Sequence, residues 1–119
     1  MKTLKRSECA VLHLVLKRPW FNRIATGEKR IEFREFKPYW QTRIGNWLKK
    51  KDEGRTPVLE FQHGYSNRSP HMAFVAGNGE DVLFDVCLAN DPVQHPDIGE
   101  FPGDRYCLFI GERIRLLEE

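Results

Sequence analysis

The chain has 119 residues, of which 40% are hydrophobic, 12% aromatic and 30% charged. This length fits one domain rather than two, and the aromatic content excludes an intrinsically disordered chain. No stretch approaches the roughly 20 apolar residues that a membrane-spanning helix needs, so no membrane partner is expected. Three cysteines, an odd number without a C-x-x-C pair, argue against a disulfide framework and for a cytoplasmic protein.

The charge is divided unevenly along the chain, although the net charge is only +2. Residues 1–55 contain 15 Lys and Arg against 6 Asp and Glu, whereas residues 56–119 contain 4 against 11. A one-sided basic surface attracts polyanions such as nucleic acids even when the net charge is small. The alternative is that the basic and acidic halves attract each other within the fold.

The pattern of apolar residues predicts a polar N-terminal arm over residues 1–10 and a single domain over residues 11–119. Residues 11–16 form a predicted buried strand, and a short helix begins near Pro19 and ends at Gly27. Residues 30–36 alternate between apolar and charged side chains, as a half-buried strand does. A second helix begins at Pro38, and its apolar positions recur at helical spacing: Trp40, Ile44, Trp47 and Leu48.

The remainder of the chain predicts strands. They cover residues 58–62, 72–76, 82–88, 106–110 and 114–117, and Asn78-Gly79 is a tight-hairpin signal. Residues 90–104 form a loop rich in Pro, Gly and Asp, which is typical of a rim or lid over a site. The elements together predict an α+β fold, a small, partly closed β-barrel of about five to six strands with two helices near the N-terminus.

The segment that carries chemistry is G-E-K-R-I-E-F-R, residues 27–34. On a strand, Glu32 and Arg34 share a face, and Lys29 at the entry turn can reach them. A carboxylate between two cations stays ionised and can polarise the lysine or orient a polar ligand. Ile31 and Phe33, on the opposite face, are expected to point into the core. The alternative is a surface ion-pair ladder, which contributes about 0–1 kcal/mol.

This spacing, G-x-K-x-x-E-x-R after an apolar strand and a W-F-x-x-I helix, resembles the signature of ASCH domains. These are small barrel proteins related to the PUA group of RNA-binding modules. The resemblance extends to residues 13–21, Tyr39-Trp40, Gly64-Tyr65 and the closing segments 96–100 and 107–111. It implies an RNA or nucleotide partner, bound in a basic cleft with the motif at its floor and used in RNA metabolism or translation-related regulation.

Some members of the family are enzymes, including an amidohydrolase acting on N4-acetylcytidine and a ribonuclease. Resemblance to the amidohydrolase implies a catalytic Lys29, whereas Glu32 stands where that enzyme has its catalytic threonine. Asp97 and Glu100 in the long loop are candidates for the third catalytic residue. A hydrolase using Lys29 and Glu32 is therefore the alternative function. A protein-interaction module, whose site would be an exposed apolar patch, is the second alternative.

Other polar and aromatic side chains complete the predicted site. Arg30 adds a cation beside the motif, and Tyr65 next to Arg68 is placed to stack on a base; alternatively, Tyr65 covers the core. The three tryptophans are expected in the core, and His13 is expected to be an interior, hydrogen-bonded side chain. The remaining histidines lack metal-ligand spacing with any cysteine, so neither a metal ion nor a cofactor is expected. The oligomeric state stays open between a monomer and a weak dimer.

Overall fold

The structure, a computed structural model, describes residues 1–66, 68–77 and 105–118 together with the backbone of residues 84–87. This described part of the chain contains seven strands and two α-helices. In chain order they are β1 (Lys2–Lys5), β2 (Cys9–Leu16), α1 (Arg18–Ala25), β3 (Ile31–Glu35), α2 (Pro38–Asp52), β4 (Thr56–His63), β5 (His71–Ala76), β6 (Phe84–Cys87) and β7 (Arg105–Leu117). The predicted α+β class with two early helices is confirmed. The predicted hairpin at residues 78–79 and the whole predicted loop 90–104 lie outside the described residues.

The strands form one mixed sheet organised around β7, which has 13 residues. The order β1-β7-β5-β4-β2 uses the C-terminal half of β7, and β3 and β6 pair with its N-terminal half. Residues 106–110 and 114–117, predicted as two strands, are therefore one continuous strand. Within the described residues no hydrogen-bonded ladder joins β2 to β3, so the sheet does not close into the predicted barrel.

The N-terminal segment, predicted as a polar arm, belongs to the sheet. Strand β1 pairs in parallel with the end of β7. Arg6 donates hydrogen bonds to Glu60 (Nη2 to Oε2, 2.6 Å) and to Glu118 (Nη2 to Oε1, 3.0 Å). The hydrogen bond with Glu60 raises the pKa of Arg6 above its ordinary value. This arginine therefore ties the beginning of the chain to both β4 and the last described residues.

The main core lies between the two helices and the sheet. Ile24 of α1 and Ile44 and Trp47 of α2 are buried there, with alternate residues of β2, β4, β5 and β7. The indole Nε1 of Trp47 donates a hydrogen bond to the carbonyl oxygen of Ala10 at 2.9 Å. Trp20 and Trp40 are partly buried against the same cluster. The predicted core placement is thus confirmed for Trp47, whereas Trp20 and Trp40 pack against the core but remain partly accessible.

Strand β3 alternates as predicted, but its two faces are reversed with respect to the main core. Glu32 lies opposite Leu108 and Arg34 opposite Tyr106, both of which belong to the main core. Facing residues of an antiparallel pair share one side of the sheet, so the charged face of β3 is the inner one. Phe33 is buried in a separate small cluster with Cys107, against which the half-buried Ile31 and Phe109 pack.

The cysteines differ in state. Cys9 is buried and free, and burial raises the pKa of its thiol. Cys107 is disulfide-bonded, which contradicts the expectation drawn from the odd number of cysteines.

Neither described α-helix combines the length and the apolar character needed to cross a membrane.

Gly111 lies where β7 changes from pairing with β3 to pairing with β5. A Cβ at this position would collide with the carbonyl oxygen of Gly77 and lie 2.6 Å from that of Val75. Because both obstacles are backbone atoms, we expect Gly111→Ala to lower the free energy of unfolding by about 1–3 kcal/mol. Urea unfolding followed by circular dichroism measures this loss.

Gly45→Ala is the matched control, because a Cβ at this exposed position within α2 meets no atom within 4 Å. Alanine favours the helix over glycine by about 0.5–1 kcal/mol, so this variant should be more stable than the wild type. Equal effects of the two substitutions would contradict the close approach of β7 to β5.

Candidate functional site

A cleft of about 630 Å³ opens where β2 and β3 are not paired, beside the first turns of α2. Strands β2, β3, β4 and β7, helix α2 and the segment after β4 all contribute to its lining. The lining residues are His13, Val15, Phe33, Arg34, Glu35, Tyr39, Trp40, Arg43, Gln62, Tyr65 and Arg105. The missing strand pairing therefore leaves a polar concavity next to the predicted motif.

The first residues of the motif end α1 and set the position of Lys29. Gly27 adopts a positive φ of 82°, which is accessible to glycine at little cost. The chain turns there so that the amide of Lys29 donates to the carbonyl of Arg23 at 3.0 Å. The ammonium of Lys29 lies 4.6 Å from the centre of the Trp20 ring. This placement buries the lysine beneath the helix and gives it a favourable cation–π contact.

Glu32 is the centre of the motif's charge cluster. Its Oε1 accepts hydrogen bonds from Nζ of Lys29 at 3.2 Å and from the amide of Phe33 at 2.9 Å. Its Oε2 lies 3.6 Å from Nη2 of Arg34 and accepts no hydrogen bond from the described residues. The side chain is only 5% exposed. The predicted arrangement of one carboxylate between two cations is present, and it is buried rather than a surface ladder.

Arg34 spans the gap between the two unpaired strands. Its guanidinium donates to the carbonyl oxygen of Phe33 on β3 at 3.3 Å and to that of Val15 on β2 at 3.4 Å. The same group lies 5.1 Å from the centre of the Trp40 ring. Glu32 and Arg34 thus supply hydrogen bonds to backbone groups that a β2–β3 ladder would otherwise satisfy. Of the motif's three charged residues, Arg34 alone lines the cleft.

Two further arginines face the same cleft. Arg43 is exposed and lies one helical turn after Tyr39, with its guanidinium 5.4 Å from the Tyr39 ring and 5.7 Å from the Trp40 ring. Arg105 is buried at the start of β7, opposite Glu35 in the ladder. The carboxylate of Glu35 also borders the cleft, and Nζ of Lys37 lies 3.4 Å from it. Among the described residues of this wall, arginines therefore outnumber carboxylates.

Exposed tyrosines form part of the cleft's rim. Gly64, with a φ of 75°, turns the chain at the end of β4, and the next residue, Tyr65, is 90% exposed. Tyr39 at the start of α2 is 58% exposed. The alternative that Tyr65 covers the core is therefore wrong. His13, predicted to be an interior side chain, is half-buried in the cleft wall, with its ring 6.1 Å from that of His71.

The other predicted site residues stand apart from the cleft. Arg30 and Arg68 are exposed and do not line it. Lys29 and Glu32 are buried behind Arg34 and do not line it either. Asp97 and Glu100 lie outside the described residues. In the ranges that the structure describes, no three His, Cys, Asp or Glu side chains are grouped so that they could hold a metal ion.

Sequence reasoning missed Arg43 and Arg105. A signal for Arg43 existed, because it follows Tyr39 by four residues and Trp40 by three, the spacing that places side chains together on a helix. Arg105 carried no local signal, since its place opposite Glu35 depends on the register between β3 and β7.

No protein-family model, curated protein or solved structure matches this chain. The resemblance to ASCH domains therefore rests on the residues of the motif and on their position between a helix and a strand.

Proposed function

We propose that the protein belongs to the ASCH group of the PUA-like superfamily and binds single-stranded RNA or a nucleotide in the cleft between β2 and β3. Its role would lie in RNA metabolism or translation-related regulation. The observation that carries the proposal is the make-up of the cleft wall. Three arginines, Arg34, Arg43 and Arg105, line it, and the bordering carboxylate of Glu35 has a lysine partner.

The arginines suit the phosphate part of such a ligand. A guanidinium presents its N–H donors in a planar fork that matches two phosphate oxygens, and it stays charged at any physiological pH. Arg43 is exposed and rests against two aromatic rings, so little rotamer freedom remains to be lost when it binds. A phosphate in the cleft would meet positive charge without displacing the Lys29–Glu32 pair.

The aromatic rim suits the base part. Single-stranded RNA is recognised largely by stacking unpaired bases on aromatic side chains and on arginine planes. Tyr39 and Tyr65 offer exposed rings, and Trp40 lies beneath Arg34 and Arg43. Stacking and phosphate contacts are therefore available within one concavity.

In this proposal Lys29 and Glu32 position Arg34 for ligand binding. Lys29 and Glu32 are buried and hydrogen-bonded to each other, and the carboxylate stands beside the guanidinium of Arg34. They hold Arg34 across the gap, where it can meet a ligand. This differs from the expectation that all three residues contact the ligand, and no described contact of Lys29 or Glu32 favours the hydrolase alternative.

Binding to a mixed-sequence single-stranded RNA should weaken steeply with salt. Each phosphate contact contributes a slope of about −0.7 in log K against log salt for single strands, because bound counterions are released. Replacing the exposed Arg43 with alanine should weaken binding several-fold and make the slope shallower by about 0.7. Fluorescence anisotropy at several salt concentrations measures both quantities.

Lys49→Ala is the control, because this exposed lysine on the last turn of α2 removes the same charge away from the cleft. Absence of RNA binding at low salt, or binding indifferent to salt, would refute the proposal. RNA and N4-acetylcytidine should also remain intact after incubation with the protein. Product that forms with the wild type and disappears in Lys29→Ala would instead establish the hydrolase alternative.

A further inference from the structure

A second concavity adjoins the cleft on the other side of Arg34 and Tyr65. Its volume is about 570 Å³, and it shares Val15, Arg34 and Tyr65 with the first. We call the cleft described above the first lobe and this concavity the second lobe. Because three residues line both lobes, the two form one trough with Arg34 and Tyr65 at the ridge between them.

The second lobe repeats the chemistry of the first. Lys17 and Arg18, both exposed, line it together with Arg34, and none of its described lining residues is acidic. Trp20 and Leu16 supply an apolar wall. This lobe therefore combines positive charge with an aromatic surface, as a site for a nucleotide unit does.

The ridge itself fits a position between two nucleotides. The ring of Tyr65 projects from the turn after β4 with 90% of its surface exposed, which leaves a stacking face accessible. Arg34, which lines both lobes as Tyr65 does, is fixed by its hydrogen bonds to the carbonyl groups of Phe33 and Val15. A phosphate that joins two nucleosides would meet a guanidinium at the point where the chain crosses from one lobe to the other.

We infer that the ligand is a single-stranded oligonucleotide of at least two nucleotides that crosses this ridge and occupies both lobes. The inference rests on the proposed function and narrows it, since a mononucleotide would fill the first lobe alone. Extending the ligand from one nucleotide to two raises its affinity, because the second base and the cations of the second lobe then contribute to binding.

Isothermal titration with three uridine ligands tests the inference. They are 5′-uridine monophosphate, uridine 3′,5′-bisphosphate and the 5′-phosphorylated dinucleotide pUpU. The dinucleotide should bind about tenfold more tightly than the bisphosphate, because stacking of one further base contributes about fivefold or more. The bisphosphate carries the second phosphate without the second nucleoside, so the comparison isolates the contribution of that nucleoside.

Variants assign the gain to the second lobe. The double variant Lys17→Ala, Arg18→Ala should weaken pUpU several-fold while leaving the monophosphate within about twofold. The matched control is Lys49→Ala, Lys50→Ala, which removes two exposed charges that line neither lobe. Tyr65→Ala should abolish the advantage of pUpU over the bisphosphate, whereas Tyr65→Phe keeps the ring and should retain it.

The outcomes separate this inference from the proposed function. Equal affinity for the three uridine ligands would overturn the inference and leave nucleotide binding in place. The inference would also be overturned if Lys49→Ala, Lys50→Ala reduced the affinity advantage of pUpU over the bisphosphate as much as Lys17→Ala, Arg18→Ala does. If neither these ligands nor a longer RNA binds, the proposed function fails and the inference fails with it.

Discussion

Replacing Glu32 with alanine is expected to lower the free energy of unfolding by about 3–5 kcal/mol. The substitution leaves the buried ammonium of Lys29 without its carboxylate, and the amide of Phe33 without its acceptor. Desolvated charges are costly when a partner is removed, because water cannot replace the lost interaction. Urea unfolding monitored by circular dichroism measures the loss.

Two variants show whether burial is the cause. Glu28→Ala removes an exposed carboxylate that lies 4.0 Å from Arg23, and it should change stability by about 1 kcal/mol or less. Glu32→Gln retains an acceptor for the Phe33 amide while removing the charge. Its decrease in the free energy of unfolding should therefore lie between those of Glu32→Ala and Glu28→Ala. If Glu32→Ala were as mild as Glu28→Ala, the charge cluster would have to be solvated, and Arg34 would lack the support proposed for it.

Replacing Trp47 with alanine is expected to lower the free energy of unfolding by about 3–5 kcal/mol. The indole is 3% exposed in the main core, so its removal leaves a large cavity between α2 and the sheet. The variant also deprives the carbonyl group of Ala10 of its hydrogen-bond donor. Thermal and urea unfolding should both show that this variant is only marginally stable.

Trp47→Phe separates packing from hydrogen bonding. It keeps most of the apolar volume but leaves the Ala10 carbonyl without the indole N–H, so its loss should be clearly smaller than that of the alanine variant. Leu48→Ala, at a half-buried position one residue further along α2, should also cost less. Similar losses for Trp47→Ala and Leu48→Ala would contradict the central position of the indole.

The local pattern was sufficient to predict several elements. Proline at 19 and 38 indicates the first turn of each helix, because the ring fixes φ and the missing N–H is not needed there. The two-residue alternation of residues 31–34 predicts β3, and Gly27 predicts the end of the preceding helix. The grouping of Lys29, Glu32 and Arg34 also follows from short-range geometry, since these residues are at most five positions apart.

The tertiary structure decided which side of β3 faces inward. Alternation fixes which residues share a face, but the face that meets the core is set by the strand alongside. Pairing with β7 puts Glu32 opposite Leu108 and Arg34 opposite Tyr106, so the charged face is buried and the apolar face packs in a smaller cluster. The buried charges then find partners in one another and in the backbone of β2 and β3.

The cleft likewise depends on contacts between distant parts of the chain. Nothing local in residues 9–16 or 31–35 indicates that the two strands remain unpaired, because pairing depends on how β4 and β7 place them. Arg105 reaches the cleft through the same long-range register, about 70 residues from its ladder partner Glu35. The sequence by itself determined the two helices, the strands β2 to β5 and the local charge cluster. Only the tertiary structure decided the open edge, the place of Arg105 in the cleft wall and the trough beside it, since strand pairing joins residues that no short window contains.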